Sequence, residues 1–191
     1  MNQANINERI NNGDTSVFTE IVELYQGMVY NAVLNIVQYE PDAEDITQEV
    51  FIEVYEKMDN FKGNAQLSTW IYRIAVNKAL DFVKTKKRAK YGGLLKRVFS
   101  LREEEEPVSF YHPGASLDNK EKAAQLFKAL KQLPQKQQLV FTLHKIEGLS
   151  YNEVAAILQM SVAAVEALMV RAKTGLKKIL ENYYLQQNGK K

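Results

Sequence analysis

The chain contains no cysteine, two histidines and no long apolar run, and these shortages exclude several classes of protein. Without cysteine there are no disulfides and no thiolate metal site, which agrees with a reducing compartment. No stretch of about twenty apolar residues is present to span a bilayer. The N-terminal stretch MNQANINER lacks the apolar core of an export signal. Together these absences predict a cytoplasmic protein.

Residue patterns typical of enzymes are also missing. No Cys/His metal set, carboxylate cluster or glycine-rich phosphate loop stands in a plausible context. The glutamates from Glu103 to Glu106 are interpreted as a solvated charge run, since hard metals need carboxylates that converge from a folded loop. His112 and His144 have no second His or Cys beside them. We therefore expect no catalytic residue, no metal, no cofactor and no small-molecule substrate.

The charge that is present is unevenly distributed. The net charge is +2, and 46% hydrophobic with 25% charged residues is ordinary for a soluble globular protein. Residues 40–59 hold eight acidic residues and one lysine, whereas residues 73–102 hold ten basic residues and one aspartate. Such segregation suggests two different partners, one of them polyanionic.

Apolar periodicity predicts an all-α fold of two small helical domains. A short helix with Ile6 and Ile10 is followed by a long one, by a second long helix that begins at an Asp42 N-cap, and by a third from about Ser68. Periodicity fails where Gly, Pro and Glu accumulate, so a flexible linker at 91–117 is predicted to join domains at 1–90 and 118–191. The buried stripe predicted for the second long helix consists of Ala43, Ile46, Val50, Phe51, Val54, Tyr55 and Met58.

Two exposed helix faces in the first domain are candidates for binding. Asp45, Gln48 and Glu49 fall within one turn, opposite the apolar stripe, and form either a docking patch or simply a solvated face. On the third helix an aromatic ring, an amide and two cations share one face, continued by a basic run, as a surface for unpaired bases would require. That face carries Trp70, Arg73, Asn77 and Lys84. A tryptophan can equally be a core residue.

The stretch from Leu149 to Lys178 predicts a helix-turn-helix. Ser150 and Glu153 have the spacing of a capping box, and Ser161 is a second N-cap. Two helices with so short a joint must cross steeply, which can present the second helix to a DNA groove. Packing within an ordinary helical bundle is the alternative, and the turn from Gln159 to Ser161 lacks the glycine often found there.

In this order the motifs resemble a known family, the extracytoplasmic-function (ECF) sigma factors, which are minimal members of the sigma-70 family. DAEDITQEVFI from Asp42 and FKGNAQLSTWIYRIAVNKALD from Phe61 are similar to its region two. LPQKQQLVFTLHKIEGLSYNEVAAIL from Leu133 is similar to its region four. Both motifs, in this order and at this separation, make the resemblance specific.

The resemblance implies roles for the first domain in binding RNA polymerase and promoter DNA. In the family the acidic helix binds the β′ clamp helices of core RNA polymerase, which implies core binding by Asp45, Gln48 and Glu49. The following loop and helix open the minus-ten element and hold a base flipped from the non-template strand, whose capture offsets the cost of unstacking. Matching positions in this chain are Phe61, the loop from Lys62 to Leu67, which includes Asn64, and Trp70, Arg73 and Asn77. Lys84 is added to this minus-ten set because it shares their helix face.

For the second domain the resemblance implies recognition of the minus-thirty-five element. The second helix of its helix-turn-helix enters the major groove, while another face meets the polymerase β-flap. Family members are commonly held inactive by an anti-sigma factor, often membrane-bound, which clamps between the two domains. Matching DNA-binding positions are Ser161, Ala163, Ala164, Glu166, Ala167, Val170, Arg171 and Lys173.

One segment departs from the family. Many members carry basic or small polar residues where this chain has Glu166, Ala167 and Leu168, and an aromatic residue where it has Val170. Glutamate can accept from cytosine N4 and Ala or Val can contact a thymine methyl group, but recognition of guanine by Arg is lost. The promoter preference is therefore expected to differ from that of familiar members.

Two other functions are alternatives to a sigma factor. The first is a helix-turn-helix regulator that binds duplex DNA without polymerase and dimerises through its first domain. The acidic patch at Asp45, Gln48 and Glu49 disfavours it, since a simple repressor has no need of such a surface. An enzyme acting on nucleic acid is disfavoured by the missing catalytic patterns.

Overall fold

The structure, a computed structural model, describes residues 6, 8–10, 12, 14, 16–61, 63, 65–91 and 117–188. All regular elements in these ranges are helical, which confirms the predicted fold class. The chain divides into two compact units, Met1–Glu105 and Glu106–Lys191. The linker predicted at 91–117 lies outside the described residues except for Tyr91 and Leu117, which belong to helices.

The N-terminal unit is built from three long helices: α1 (Ser16–Val37), α2 (Glu40–Lys57) and α3 (Leu67–Tyr91). Each packs on the other two, because each carries an apolar stripe at three- and four-residue spacing. Burial of one Val, Leu or Ile side chain in such a core contributes roughly 1.5–3 kcal/mol. The core includes Ile6, Ile10, Val17, Ile21, Val29, Val33, Ile46, Val50, Val54, Leu67, Ile71 and Ala75.

The start of α2 corrects one prediction. Asp42 is not the N-cap: Tyr39 takes that position with an extended backbone, and Pro41 lies in the first turn, where its missing N–H costs nothing. Asp42 instead turns inward, is 8% exposed, and accepts from the Lys86 ammonium at 2.7 Å. The helix thus begins earlier than predicted, and Asp42 serves a contact with α3.

The C-terminal unit is organised around its longest helix. It contains α4 (Leu117–Leu130), α5 (Gln135–Phe141), α6 (Tyr151–Leu158) and α7 (Val162–Asn188), and α7 packs on the other three. Gly175 of α7 sits so close to Leu133 that an added Cβ would lie 2.7 Å from the leucine Cδ2. The cluster between α4 and α7 consists of Phe127, Ala129, Leu130, Leu133, Ala172 and Leu176.

The helix predicted to end at Gly148 is interrupted before it stops. After α5 the chain forms a π-helical turn, Thr142–Ile146, which apolar periodicity does not reveal. Gly148 then adopts a left-handed conformation with φ of 74°, as predicted for a C-cap glycine. His144 Nδ1 lies 2.7 Å from the carbonyl oxygen of Leu149, and its ring packs on Tyr151 with centroids 4.4 Å apart. These contacts fix the entry into α6.

Within the described ranges, no helix taken singly is long and apolar enough to cross a membrane. The pair Tyr151–Leu158 and Val162–Glu181 meets that test only jointly, across a bend of 104°.

Candidate functional surfaces

The acidic face of α2 is exposed because the opposite stripe is buried. Ile46 and Val50 point into the core, which leaves Asp45, Gln48 and Glu49 in solvent, where the sequence predicted them. The face continues through Ile52, Glu53 and Glu56. Hereafter these six residues are called the acidic surface.

Lysines border the acidic surface and adjust its charge. Lys78 of α3 lies 3.4 Å from Glu49 and 3.2 Å from Glu53, and Lys57 lies 2.6 Å from Glu53. Partial burial disfavours ionisation of Glu53, but hydrogen bonds from Lys57 and Lys78 outweigh it, so the pKa of Glu53 is lowered. Glu53 therefore stays charged at neutral pH.

Ile52 was missed by the motif-based prediction. It is 58% exposed and lines a shallow cleft with Glu49, Glu53, Glu56, Lys57 and Lys78. A signal was available, because Ile52 falls outside the register of Ile46, Val50 and Val54. An exposed isoleucine among carboxylates is suited to a partner that offers both apolar and basic groups.

Tyr55 corrects the predicted buried stripe. It is 53% exposed, and its ring makes a T-shaped contact with that of Phe18, with centroids 5.0 Å apart. Val50 and Val54 belong to the buried stripe of α2, which Met58 continues just beyond the helix. Tyr55, which follows Val54, lies beside this stripe and faces solvent. The prediction that Tyr55 is buried was wrong.

The predicted minus-ten surface begins with two packed aromatic residues. Phe61 is 8% exposed, and its ring centroid lies 5.1 Å from that of Trp70, which is half-buried against the core of the N-terminal unit. Phe61, the first residue after Asn60, is thus anchored in the core of the N-terminal unit. Lys62 and Asn64, the other loop positions in the prediction, lie outside the described residues.

Exposure increases along α3 away from that loop. Arg73 is half-buried, Asn77 is exposed, and exposed Lys84 contacts Asp81 at 2.8 Å. The amide of Asn77 and the ammonium of Lys84 are thus accessible for hydrogen bonding. The predicted minus-ten face of α3 is thus partly buried near Trp70 and Arg73 and exposed at Asn77 and Lys84.

Lys86, which the sequence placed in a basic run, is held within the N-terminal unit. Its ammonium contacts the Asp42 carboxylate at 2.7 Å and lies 5.3 Å from the Tyr39 ring centroid and 5.5 Å from that of Phe82. The carboxylate and the two ring faces surround one cation, and together they hold the start of α2 against the C-terminal half of α3. We call these four residues the Lys86 clasp.

The helix-turn-helix has the geometry that the sequence predicted. The helices α6 and α7 meet at 104°, within the range of DNA-binding pairs. Both predicted capping interactions are present. The Ser150 N–H donates to Glu153 Oε2 at 2.8 Å, the Glu153 N–H donates to Ser150 Oγ at 3.3 Å, and the Ala164 N–H donates to Ser161 Oγ at 3.2 Å. Hydrogen bonds from Ser150 lower the pKa of Glu153.

Between α6 and α7, Gln159 occupies a position where glycine is common. Its φ is 52° and its ψ is 49°, the left-handed region, and its N–H donates to the carbonyl of Ala155. The turn therefore forms without glycine, at the conformational cost that a side chain adds in this region.

The predicted DNA-binding residues of α7 lie mostly on one exposed face. Val165, Met169, Ala172 and Leu176 are buried on the opposite side. Ala164 is the exception, since it is half-buried. The exposed predicted positions are Ser161, Ala163, Glu166, Ala167, Val170, Arg171 and Lys173, and Val170 is 65% exposed.

Family models match both units. The model of Sigma-70 region 2 matches residues 21–89, and that of Sigma-70 region 4 matches residues 123–176. The RNA polymerase sigma-H factor of Pseudomonas aeruginosa is 29% identical over 181 residues, which cover 91% of each chain. The ECF RNA polymerase sigma-E factor of Escherichia coli K12 is 30% identical over 183 residues, 88% of this chain and 89% of the relative.

Solved structures share the fold at lower identity. CnrH, solved with the cytosolic domain of CnrY, superposes with a TM-score of 0.67 at 22% identity and covers 94% of this chain and 97% of its own. The sigma factor RpoE of Bartonella quintana, solved with the anti-sigma factor NepR, gives a TM-score of 0.62 at 22% identity over 86% and 96% of the two chains.

Proposed function

Since this chain belongs to the sigma-70 family and is an RNA polymerase sigma factor of the ECF group, we propose that three of its surfaces divide the work of initiation. The acidic surface of α2 binds core polymerase, the loop before α3 and the exposed face of α3 open the minus-ten element, and α7 binds the minus-thirty-five element. The observation that carries this proposal is the occurrence of both family regions, in order, in one chain.

Core binding is assigned to Asp45, Gln48 and Glu49, supported by Ile52. Their side chains are exposed on one helix, so they can meet a partner without rearrangement of the core. The β′ clamp helices are the partner that the family resemblance implies. An apolar side chain within an acidic rim gives such an interface a desolvated centre, where most binding energy is concentrated.

Strand opening is assigned to the loop and to the open part of α3. Phe61 and Trp70 support the loop from the core, while Asn77 can hydrogen-bond an unpaired base and Lys84 can neutralise a phosphate. Lys62, Asn64 and Arg73 complete the proposed surface. Capture of a flipped base offsets an unstacking cost of a few kcal/mol.

Minus-thirty-five binding is assigned to the exposed face of α7. The N-terminal part of this helix is the part that a helix-turn-helix inserts into the major groove. Arg171 and Lys173 lie farther along and are suited to phosphate contacts.

One experiment tests the first two assignments together. Purified core polymerase is combined with wild-type protein, with the double variant Asp45→Lys, Glu49→Lys, or with Asn77→Ala, and both core affinity and open-complex formation are measured. The charge reversal is expected to weaken core binding at least tenfold, and Asn77→Ala to spare core binding while it impairs opening. Glu23→Lys, a charge reversal at an exposed position on α1, is the control.

The outcome separates the assignments. Equal loss of core binding for Asn77→Ala would contradict its role in DNA opening. Core affinity unchanged by the charge reversal would contradict the acidic surface. If wild-type protein neither bound core nor directed initiation, polymerase-dependent function itself would fail, and the helix-turn-helix regulator would become the better hypothesis.

An anti-sigma factor is proposed as a further partner. The Bartonella RpoE was solved with the anti-sigma factor NepR, and CnrH was solved with the cytosolic domain of CnrY. Both share this chain's fold. An inhibitor that covered the acidic surface of α2 would compete with core polymerase for this chain. In the family such inhibitors are often membrane-bound.

The relatives are transcription initiation factors rather than enzymes. We propose that this chain likewise has no catalytic residue, cofactor or small-molecule substrate, and that it acts in the cytoplasm. Its contribution to initiation is binding energy, used to direct polymerase and to stabilise open DNA.

A further inference from the structure

The exposed face of α7 has an unusual chemistry for the part that would enter a major groove. From Ser161 to Val170 the chain contains no Lys, Arg or His. The charged residue there is Glu166, which is exposed, and within the described part of the chain its carboxylate makes no hydrogen bond or ion pair. Val170 lies one helical turn farther on, on the same exposed face. The first cation of the helix is Arg171.

A helix face with a carboxylate and no cation distinguishes bases by the hydrogen-bond donors and acceptors that they present in the major groove. Guanine presents two acceptors, N7 and O6, in the major groove and is recognised by cationic donors, which are missing up to Val170. A carboxylate needs a donor, which cytosine N4 and adenine N6 supply, but adenine also places the N7 acceptor beside that donor. Repulsion between N7 and the carboxylate leaves cytosine as the better match for Glu166.

Val170 selects by a different contact. A side chain that is 65% exposed on a DNA-facing helix gains free energy when an apolar group covers it. In the major groove the apolar group is the C5-methyl group of thymine. Because Glu166 and Val170 are neighbours on the helix surface, they would meet base pairs close together in the site.

We propose that Glu166 and Val170 are specificity-determining residues, which direct this chain to a minus-thirty-five element with a cytosine opposite Glu166 and a thymine methyl group opposite Val170. The proposal rests on the promoter-binding function assigned above and adds its base preference. Arg171 and Lys173 offset the repulsion between Glu166 and nearby phosphates. Because guanine offers acceptors where Glu166 needs a donor, a cytosine facing Glu166 is favoured over guanine by a factor of about five or more.

The test is selection of promoters by the complete holoenzyme. Core polymerase with wild-type protein initiates on a library in which both promoter elements are randomised, and the initiating sequences are counted. With a minus-ten element taken from that selection, the minus-thirty-five element is then randomised again for each variant. Wild-type protein is expected to enrich cytosine at one position, Glu166→Arg to shift that position to guanine, and Glu166→Gln to shift it to adenine.

The methyl contact has its own readout. Replacement of the selected thymine by deoxyuridine removes one methyl group and is expected to weaken binding of wild-type holoenzyme severalfold. Val170→Ala, whose shorter side chain buries less of that methyl group, is expected to show a smaller difference between the two templates. Because this comparison changes the DNA, it does not depend on how well a variant folds.

Glu181→Arg, an exposed change far along α7, is the control and should keep the wild-type preference. An unchanged preference in both Glu166→Arg and Glu166→Gln, while they still initiate, would overturn the role of Glu166 and leave the proposed function intact. Equal loss on deoxyuridine for wild type and Val170→Ala would overturn the role of Val170. Absence of initiation by wild-type protein on the whole library would count against the proposed function itself.

Discussion

The Lys86 ammonium of α3 lies against the Asp42 carboxylate and the Tyr39 ring at the start of α2. The Asp42 carboxylate that it contacts is nearly buried, so removal of the lysine would leave a negative charge without compensation in a poorly solvated place. The two ring faces beside the ammonium would lose their cation as well. The Lys86 clasp therefore fastens α3 to the start of α2.

We predict that Lys86→Met lowers the free energy of unfolding by about 1–3 kcal/mol, because the Asp42 carboxylate loses its charged donor. Lys84→Met is the matched control, since Lys84 is exposed and pairs within its own helix, and it should change stability by less than about 0.5 kcal/mol. Denaturant unfolding measures both. Addition of Asp42→Asn should restore part of the loss, and equal effects of the two lysine variants would contradict the clasp.

At the scale of single helices, glycines in α1 and α7 have opposite surroundings. An added Cβ at Gly27 meets nothing within 4 Å, whereas one at Gly175 meets Leu133 at 2.7 Å. Both positions are helical, so replacement of either glycine by alanine reduces the conformational entropy of the unfolded chain by a similar amount. Only the packing differs.

We predict that Gly27→Ala raises the free energy of unfolding by about 0.5–1 kcal/mol. Gly175→Ala should lower it by about 1–3 kcal/mol, because Leu133 is buried and must shift to admit the methyl group. Thermal and denaturant unfolding of the two variants provide the comparison. A stabilising Gly175→Ala would contradict the close approach of Leu133 to α7.

The capping box makes the start of α6 sensitive to acid. The pKa of Glu153 is lowered in the folded state, so its contribution to stability is present above the ordinary glutamate pKa and is lost as the pH falls through the folded value. Ser150→Ala should cost about 1 kcal/mol at neutral pH, since the Glu153 N–H loses its acceptor.

Glu153→Gln separates the charge from the hydrogen bonds, because glutamine can also serve in a capping box. Its stability is predicted to fall less on acidification than that of the wild-type protein. Denaturant unfolding at neutral pH and at a pH below the usual glutamate range gives the comparison. The same acid response in both proteins would exclude Glu153 as its source.

At the scale of the whole molecule, we propose that opposite charges bind different partners. The acidic surface of α2 is assigned to core polymerase, and the cations of α3 and α7 to DNA phosphates. Phosphate contacts release counterions, so each one adds about one unit to the slope of log affinity against log salt concentration. Charge placement can therefore be measured through salt dependence.

We predict that Lys84→Gln reduces that slope for promoter binding by holoenzyme by about one unit. Lys128→Gln, an exposed change on α4 outside the proposed DNA-binding surfaces, should leave the slope unchanged. Binding titrations over a range of salt concentrations measure both. An unchanged slope for Lys84→Gln would remove Lys84 from the proposed phosphate contacts.

How much could be predicted from sequence depended on the range of the interactions. Ser150 with Glu153, and Ser161 with Ala164, act within one turn, so local spacing revealed them. Asp42 was misplaced because its partner Lys86 lies 44 residues away and Pro41 permits an earlier helix start. Helical periodicity does not show such contacts.

The candidate surfaces could likewise be predicted where they depend on one helix, and could not where they depend on contacts between helices. The exposed faces of α2 and α7 could be predicted because a buried stripe defines its opposite side. The burial of Phe61 and the exposure of Tyr55 depend on how three helices meet, which no single helix pattern contains. The exposure of Ile52, in contrast, could have been predicted, because it falls outside the register of the buried stripe. The π-helical turn at Thr142–Ile146 adds no apolar signal of its own.

The left-handed Gln159 has a consequence for how promoter preference can evolve. A side chain in this conformation costs roughly 1 kcal/mol, which Gln159→Gly would relieve. Proteins tolerate substitutions only while they remain above a stability threshold. Stability can therefore be gained at the turn next to α7. A lineage could accept a destabilising change on α7 and recover the lost stability by one substitution at Gln159.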